Sequence, residues 1–183
     1  LVDNEPLYAQ PDGVDLENLF PAPWLIGCMH QNRHAYVDME NPATRVYYSS
    51  QKVRNECYQY NDILSIAVPR DGGDITALAS FQDKLVIFKS DRIFVTYGDG
   101  YVPTSTSSGY AEPQLLSNST GCMNQRTVVL CHTGLMFEGD TTIWTLSEKL
   151  DLLPTGEKVQ WMLGRSNLVR ALNDEAILLV LDN

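Results

Sequence analysis

Basic residues are scarce in this 183-residue sequence: 13 lysines and arginines stand against 23 aspartates and glutamates, for a formal net charge of −10. Ordinary nucleic-acid binding needs lysine and arginine to neutralise phosphates. The nearest approach to a basic cluster is the loose group Arg45, Lys52 and Arg54. The composition therefore argues against a conventional nucleic-acid-binding surface.

The sequence also lacks any long apolar run. No stretch approaches the roughly 18 consecutive apolar residues of a membrane-spanning helix, so we expect no membrane span. Residues 1–5 carry no basic group and lead into no apolar segment, so we expect no signal peptide. Because the chain begins without Met and ends at the apolar run 177–181, we interpret it as a piece of a longer protein.

Motifs of catalytic and metal sites are missing as well. There is no GxSxG, HExxH or P-loop pattern, and the cysteines form no CxxC pair. We expect free thiols at all four cysteines, which are Cys28, Cys57, Cys122 and Cys131. We therefore predict no catalytic, cofactor-binding or metal-binding residue and no cofactor.

Two groups of polar residues are weaker candidates for chemistry. The histidines, which we interpret as turn residues without a ligand role, are His30, His34 and His132. Four carboxylates would serve glycoside chemistry only if two lay within about 5–10 Å of each other; they are Asp71, Asp74, Glu138 and Asp140. The run 71–74, Asp-Gly-Gly-Asp, would suit Ca²⁺ but lacks the EF-hand spacing, so a turn is the preferred interpretation.

What the sequence does contain is an internal repeat. Leu78 and Val128, Leu85 and Leu135, and Ile93 and Ile143 are each 50 residues apart. Each copy has short apolar stretches separated by polar turns, and the third stretch is centred on an aromatic residue. A looser copy begins near residue 25, and a fourth begins near residue 168. Repeats of this length indicate an array of similar structural units.

The stretches have the character of β-strands. They are about 4–7 residues long, rich in β-branched and aromatic residues, and bounded by Asp, Asn, Gly and Ser. Several are apolar on both faces, as in Leu85–Phe88, which is typical of strands covered on both sides. We predict an all-β fold, a partial β-propeller of three to four antiparallel blades with long inserted loops. The alternative is an ordinary β-sandwich.

The prediction divides the chain as follows: an extended lead-in segment at 1–23 and propeller blades within 24–183, at about 24–60, 75–100, 124–147 and 166–183. The repeated aromatic slot predicts three blade-core residues, Tyr47, Phe94 and Trp144. The connections at 51–74 and 98–125 are expected at the surface, and a partner-contact loop is predicted at Thr104, Ser105 and Tyr110. Alternating charges and leucines favour a short helix within 147–162.

Three groups of residues carry a resemblance to a known family. They are Ile75–Leu78, Phe81 and Asp83–Lys89 with Ile93–Val95 and Gly98–Gly100; Gly121-Cys122 and Asn124 with Arg126–Val129, Gly134–Phe137 and Ile143-Trp144; and Arg45–Ser49. Together they resemble the propeller-bearing tail proteins of short-tailed bacteriophages, over roughly residues 20–181.

The resemblance implies a non-enzymatic structural component of the virion tail. Tail nozzle, hub and stabilisation proteins form a homo-oligomeric ring below the portal and adaptor and contact tail fibre proteins. They continue the channel through which double-stranded DNA passes without specific binding. The localisation implied is the virion tail, assembled in the host cytoplasm. The long Ser/Thr-rich insertion at 101–120 departs from the family, so contacts made by its loops are not transferred.

A second class of function is also open to a β-propeller. A β-propeller with a ligand site would be either a carbohydrate-active enzyme or a protein-interaction scaffold. A symmetric ring on a channel wall distinguishes the first class, and a monomer that hydrolyses a glycan at an acidic pocket distinguishes the second.

Overall fold

The computed structural model describes residues 19, 21–52, 57–101, 109–140, 142–156, 168–173 and 176–181. The fold is all-β, as the sequence predicts, and the strands form antiparallel sheets in chain order. The first sheet comprises β1 (Trp24–His30), β2 (Arg33–Asp38), β3 (Arg45–Tyr48) and β4 (Ser65–Ala67). The second comprises β5 (Ile75–Phe81), β6 (Lys84–Lys89), β7 (Ile93–Gly100), β8 (Gly109–Tyr110) and β9 (Gln114–Ser117).

Two further sheets follow in the same order. The third comprises β10 (Val129–Cys131), β11 (Gly134–Glu138), β12 (Ile143–Leu146) and β13 (Leu152–Pro154). The fourth is a two-stranded hairpin of β14 (Leu168–Asn173) and β15 (Ala176–Leu181). The segments around 85, 135 and 177, which the repeat places in separate units, lie in three different sheets.

Short polar turns join the first two strands in each of the first three sheets. Gln31 and Asn32 both have positive φ (47° and 60°), the backbone form of a tight two-residue hairpin between β1 and β2. A second short turn, at Gln82 and Asp83, joins β5 to β6. Such hairpins fix the register, that is, which residues of the two strands lie opposite each other. Residues that are paired across the strands lie on the same face of the sheet, and the face alternates from one residue to the next along each strand.

The second sheet is covered on both faces by other sheets. Leu78, Ile87 and Phe94 belong to a core cluster shared with the first sheet. Ala79, Val86 and Val95, one position away on each strand, belong to a second cluster shared with the third sheet. The run Leu85–Phe88 is apolar throughout because both of its faces are buried. Among the described residues the first three sheets form a stack in which no closure into a ring is present.

The outer strands come from segments that the sequence predicts as connections. β4 lies within the connection 51–74, and β8 and β9 lie within the polar insertion 98–125. β7 is long enough to pair with β9 along its first half and with β8 along its second half. A three-residue or two-residue strand has too few residues to show the alternation that identifies longer strands.

The helix predicted within 147–162 is not present in the described part of that range. Residues 147–151 form a turn, in which the Leu150 amide donates to the Ser147 carbonyl, and β13 follows at Leu152–Pro154. Residues 157–162 lie outside the described part. The described helical structure is one 3-10 helix at Gln125–Thr127. Accordingly, no described helix is long and apolar enough to cross a membrane.

The 3-10 helix attaches the third sheet to the edge of the second. The side-chain amide of Gln125 accepts from the Leu78 amide at 2.7 Å and donates to the Leu78 carbonyl at 2.9 Å. Leu78 lies on β5, which is the first strand of its sheet and has an open edge there. The Gln125 side chain therefore takes the hydrogen-bonding place of a neighbouring strand.

Gln125→Glu is expected to lower the free energy of unfolding by about 1–3 kcal/mol, because the carboxylate no longer donates and faces the Leu78 carbonyl. Urea melts would measure the change. Gln114→Glu is the matched control, since Gln114 is exposed on β9, and it should change stability by less than about 0.5 kcal/mol. Equal effects of the two variants would show that the Leu78 pairing is not stabilising.

Candidate functional site: the polar junction between the first two sheets

A buried arginine joins the first two sheets at one end of their strands. The Arg33 side chain is 1% exposed. Its guanidinium donates to the carbonyls of Asp99 (2.9 Å), Ser49 (3.1 Å) and Tyr101 (2.8 Å). Ser49 follows β3, whereas Asp99 lies on β7 and Tyr101 follows it. The planar fork of an arginine suits several acceptors at once, so one side chain connects the two sheets.

Gly100 makes this arrangement possible. Its φ is +71°, and a Cβ placed there would lie 2.8 Å from Arg33 Nε. A larger residue would therefore be strained and would displace the guanidinium. The sequence shows Gly98-Asp99-Gly100 as part of the resemblance, and the structure gives the second glycine this packing role.

A histidine bridges the same two sheets. His30 Nδ1 lies 2.8 Å from the Ser80 hydroxyl, and Nε2 has no hydrogen-bond partner among the described residues. Burial lowers the pKa of His30, and the carboxylates of Asp83 and Asp99 oppose that effect. His30 is therefore a neutral, buried group at neutral pH rather than a free turn residue.

The buried histidine predicts a loss of stability in mild acid. The folded-state pKa lies below the ordinary 6.5, so as the pH falls through 6.5 the unfolded chain takes up the proton first. The loss in free energy of unfolding caused by His30 is nil above about pH 7. It grows toward pH 5, at no more than about 1.4 kcal/mol per pH unit for one group. Urea melts at pH 7.5, 6.5 and 5.5 would measure it.

His30→Gln should flatten this pH dependence, leaving the part due to His34, whose pKa is also lowered by burial. His132→Gln is the control because His132 is exposed in the turn between β10 and β11, and it should keep the wild-type profile. A His30→Gln profile identical to that of the wild type would contradict the assignment to His30.

A buried lysine joins the sheets at the opposite strand end. The Lys89 side chain is 0% exposed, and Nζ donates to the carbonyls of Ala43 (2.9 Å), Pro69 (2.6 Å) and Gly73 (2.9 Å). The ammonium also lies 5.9 Å from the centre of the Phe94 ring. Burial lowers the pKa of Lys89, and nearby Asp71 and Asp74 partly oppose this.

The contacts of Lys89 and Arg92 concern the possible Ca²⁺ site in the turn 71–74, because both side chains bind oxygens of that turn. In that turn the Gly73 carbonyl points at the ammonium, and the Asp71 carboxylate lies 3.6 Å from the Arg92 guanidinium. The Lys89 ammonium and the Arg92 guanidinium thus interact with oxygens of this turn that a Ca²⁺ ion would otherwise bind. Within the described residues there is no group of three or more His, Cys, Asp or Glu that would hold a metal ion.

The three aromatic-slot residues lie at equivalent positions on the third strand of each sheet. Phe94 is buried between the first and second sheets. Trp144 is half-buried and packs against the cluster between the second and third sheets. Tyr47 is half-buried and stacks on Tyr36 at 5.7 Å, on the face of the first sheet that points away from the second. The three rings thus occupy the same face of successive sheets.

The predicted partner-contact loop is described in part. Thr104 and Ser105 lie outside the described residues. Tyr110 is half-buried on β8, and its ring packs edge-on against Tyr48 at 4.9 Å. Burial raises the pKa of Tyr110, which is the expected effect for a phenol that has left water. Its ring anchors the loop end to the junction of the first two sheets.

The thiols and carboxylates take the following places. All four cysteines are free, as predicted, and burial raises the pKa of Cys28 to about 12. Of the carboxylates considered for glycoside chemistry, Asp71 and Asp74 lie in the turn before β5. Glu138 and Asp140 lie at the end of β11 and after it.

A groove of about 400 Å³ lies between the second and third sheets. Asp140 lines it together with Asp91, which sequence reasoning does not single out, and with the indole of Trp144. Ser and Thr side chains from 119–120 complete a polar rim. Asp91 and Asp140 follow equivalent strands, β6 and β11, although they are 49 residues apart and thus one position out of the 50-residue register.

No protein-family model matches this chain. No curated protein matches it either. The assignment of function therefore depends on the stacking of the sheets, on the residues of their junctions, and on the resemblance described above.

Proposed function

We propose that the chain is a structural part of a short-tailed phage tail, in which its sheets are the blades of a β-propeller. The observation that carries the proposal is the stacking of successive antiparallel sheets face to face, with equivalent positions 50 residues apart. Leu85 and Leu135 are such a pair, each buried against the preceding sheet. Propellers are built by this radial repetition.

The contacts between the first two sheets suit a role that requires a rigid structure. Arg33, on the first sheet, donates to two carbonyls at the end of the second sheet, and Lys89, on the second sheet, donates to two carbonyls in the connections of the first sheet, at opposite strand ends. Multiple charge-assisted hydrogen bonds to fixed backbone groups hold the sheets in one relative position. A tail component that continues a channel for DNA needs such rigidity, and we assign it no enzymatic role.

The acidic composition also supports a channel protein. A net charge of −10 gives like-charge repulsion toward the phosphates of DNA, so passing DNA would find few attractive contacts. The proposal places the assembled ring below the portal and adaptor, in contact with tail fibre proteins. A basic channel wall would slow genome exit by binding the phosphates of the DNA.

Immunogold electron microscopy tests the location. Antibodies raised against the purified chain would be applied to particles assembled from the genome that encodes it. We expect gold at the tail vertex, and we expect particles that lack the protein to have full heads but truncated tails. Gold on the capsid faces, or no association with particles, would overturn the proposal.

The groove beside Trp144 favours one alternative, a propeller with a ligand site. An indole next to two carboxylates and several hydroxyls is a combination that suits a sugar. Glycan-array binding that is lost in Trp144→Ala, with the tail labelling absent, would support this alternative over the structural role.

A further inference from the structure

The turn between the second and third strands has the same form in the second and third sheets. In the second sheet the Lys89 amide donates to the Arg92 carbonyl at 2.9 Å. In the third sheet the Gly139 amide donates to the Thr142 carbonyl, also at 2.9 Å. Each residue of the first bond lies 50 residues from its counterpart in the second. Gly139 therefore holds the place in the third sheet that Lys89 has in the second.

The Lys89 ammonium lies in a site with three parts, between the first and second sheets. The turn between β2 and β3 supplies the Ala43 carbonyl, and the connection to the second sheet supplies the carbonyls of Pro69 and Gly73. The third part is the ring of the aromatic-slot residue Phe94, 5.9 Å from the ammonium. Carbonyl oxygens and an aromatic face are groups that stabilise an alkylammonium ion away from water.

The groove of about 400 Å³ between the second and third sheets is bordered by the same three parts. Asp91 comes from the turn between β6 and β7, Thr120 from the connection to the third sheet, and Trp144 from the aromatic slot. Gly139 brings no side chain into this space, and a Cβ on it would lie 2.7 Å from the Trp144 indole. The second junction thus combines the surroundings of the Lys89 site with an open groove.

The two connections cross the preceding turn in the same way. The Ile75 amide donates to the Pro42 carbonyl at 3.0 Å, before the first strand of the second sheet. The Cys122 amide donates to the Lys89 carbonyl at 3.0 Å, before the third sheet. Gly73 and Thr120 each stand two residues before these amides, so Thr120 borders the groove where Gly73 binds the ammonium.

The carboxylates of the groove favour a cation. Asp140 lines the groove, and among the described residues no cation pairs with its carboxylate. Asp91 has one distant partner, the Arg92 guanidinium, whose Nε lies 3.8 Å from Asp91 Oδ1. A positive group that enters the groove would therefore meet net negative charge.

We propose that the groove between the second and third sheets binds a primary ammonium group on an aliphatic chain, as the first junction binds that of Lys89. A lysine side chain of a partner protein and a free polyamine share this chemistry. A sugar also suits an indole beside hydroxyls and carboxylates, but it has no counterpart in the first junction, whereas the ammonium has one.

Isothermal titration calorimetry of the whole chain with n-butylammonium chloride, which reproduces the end of a lysine side chain, tests the site. At constant ionic strength we expect one saturable site with a Kd of about 1–10 mM. n-Butanol is the matched neutral probe, and it should bind at least about tenfold more weakly because it carries no charge. Equal affinity for the two probes, or no saturation by about 50 mM butylammonium, would overturn the proposal.

Substitutions locate the binding in the groove. Asp140→Asn should raise the Kd for butylammonium by at least about threefold, because one carboxylate is lost. Asp151→Asn removes the same charge at the other end of the third sheet, where Asp151 is exposed between β12 and β13, and should bind like the wild type. Equal affinities of these two variants would overturn the proposal. Circular dichroism would verify that each variant folds.

The indole provides a second, independent variant. Trp144→Leu should raise the Kd for butylammonium by about threefold or more, because the aromatic face is lost. Trp144→Phe supplies the ring that Phe94 has in the first junction and should retain most of the affinity. Affinity that is unchanged in Trp144→Leu would place the ammonium elsewhere and overturn the assignment to this groove.

Two further probes distinguish the sources of the ammonium. Binding of N-acetyl-lysine methylamide as tight as that of butylammonium would assign the groove to a lysine side chain of a partner. Binding of spermidine but not of the lysine derivative would assign it to a free polyamine, and both outcomes support the proposal. Glucose or galactose that binds where butylammonium does not would overturn it. The inference depends on the internal repeat and not on the tail assignment, so amine binding without gold at the tail vertex would refute the assigned location alone.

Discussion

Lys89→Met is expected to lower the free energy of unfolding by about 3–5 kcal/mol, because three buried carbonyls lose a charged hydrogen-bond donor while the cost of burying the ammonium is removed. Met retains the volume of the aliphatic stem but donates no hydrogen bond. The carbonyls of Ala43, Pro69 and Gly73 would lose their charged donor in a place from which water is excluded. Each buried acceptor left without a partner costs about 1–3 kcal/mol.

Lys84→Met provides the comparison within the same strand. Lys84 lies at the other end of β6, where its ammonium pairs with the exposed Asp83 carboxylate. A surface ion pair contributes at most about 1 kcal/mol, so this variant should be nearly neutral. Urea melts with matched m-values would give both numbers. A Lys89→Met loss below about 1 kcal/mol would mean that the three carbonyls find other partners.

The stacking of sheets follows from the sequence, and its reason can be stated for particular residues. Leu85–Phe88 lacks polar residues at alternate positions, which predicts cover on both faces, and the second sheet lies between two others. Gln82 and Asp83 predict a tight turn because polar residues tolerate its backbone form, and Gln82 has a φ of 57°.

The outer strands and the buried cations could not be predicted in the same way. β13 (Leu152–Pro154) and β8 (Gly109–Tyr110) are too short to show a period, and their strand form comes from pairing with a longer neighbour. Lys89 ends an apolar strand and lies on the same face as Leu85 and Ile87. Its position in the strand therefore indicates burial but does not indicate which groups would bind a buried ammonium. The carbonyls that satisfy it lie 16–46 residues away in sequence and carry no side-chain signature.

At the candidate site, too, the local sequence pattern predicts the turn but not the tertiary contacts that bury its neighbours. His30 and Arg33 lie on either side of the Gln31-Asn32 turn, and nothing in their spacing distinguishes exposed turn residues from buried ones. The structure buries both because the end of the second sheet packs over the hairpin, with Ser80 and Asp99 as partners. The contacts of polar residues that join two repeats depend on how one sheet packs on the next. A repeat pattern in the sequence does not specify that packing.

Arg33→Met is expected to lower the free energy of unfolding by about 3–5 kcal/mol, since the carbonyls of Ser49, Asp99 and Tyr101 all depend on one guanidinium for these bonds. Arg33→Lys should recover part of this loss, because the ammonium retains the charge but lacks the planar fork that reaches three acceptors.

Arg45→Met is the matched control for Arg33→Met, because Arg45 is exposed on β3 and its polar contact is a long 3.4 Å hydrogen bond to Ser65. It should change stability by less than about 0.5 kcal/mol. Native-state hydrogen exchange would locate the effect: in Arg33→Met the amides of the first sheet should lose more protection than those of the third, since the lost bonds join the first sheet to the second. Uniform loss across all sheets would show that Arg33 supports the whole stack, and unchanged exchange would show that the first two sheets are held together by their apolar core alone.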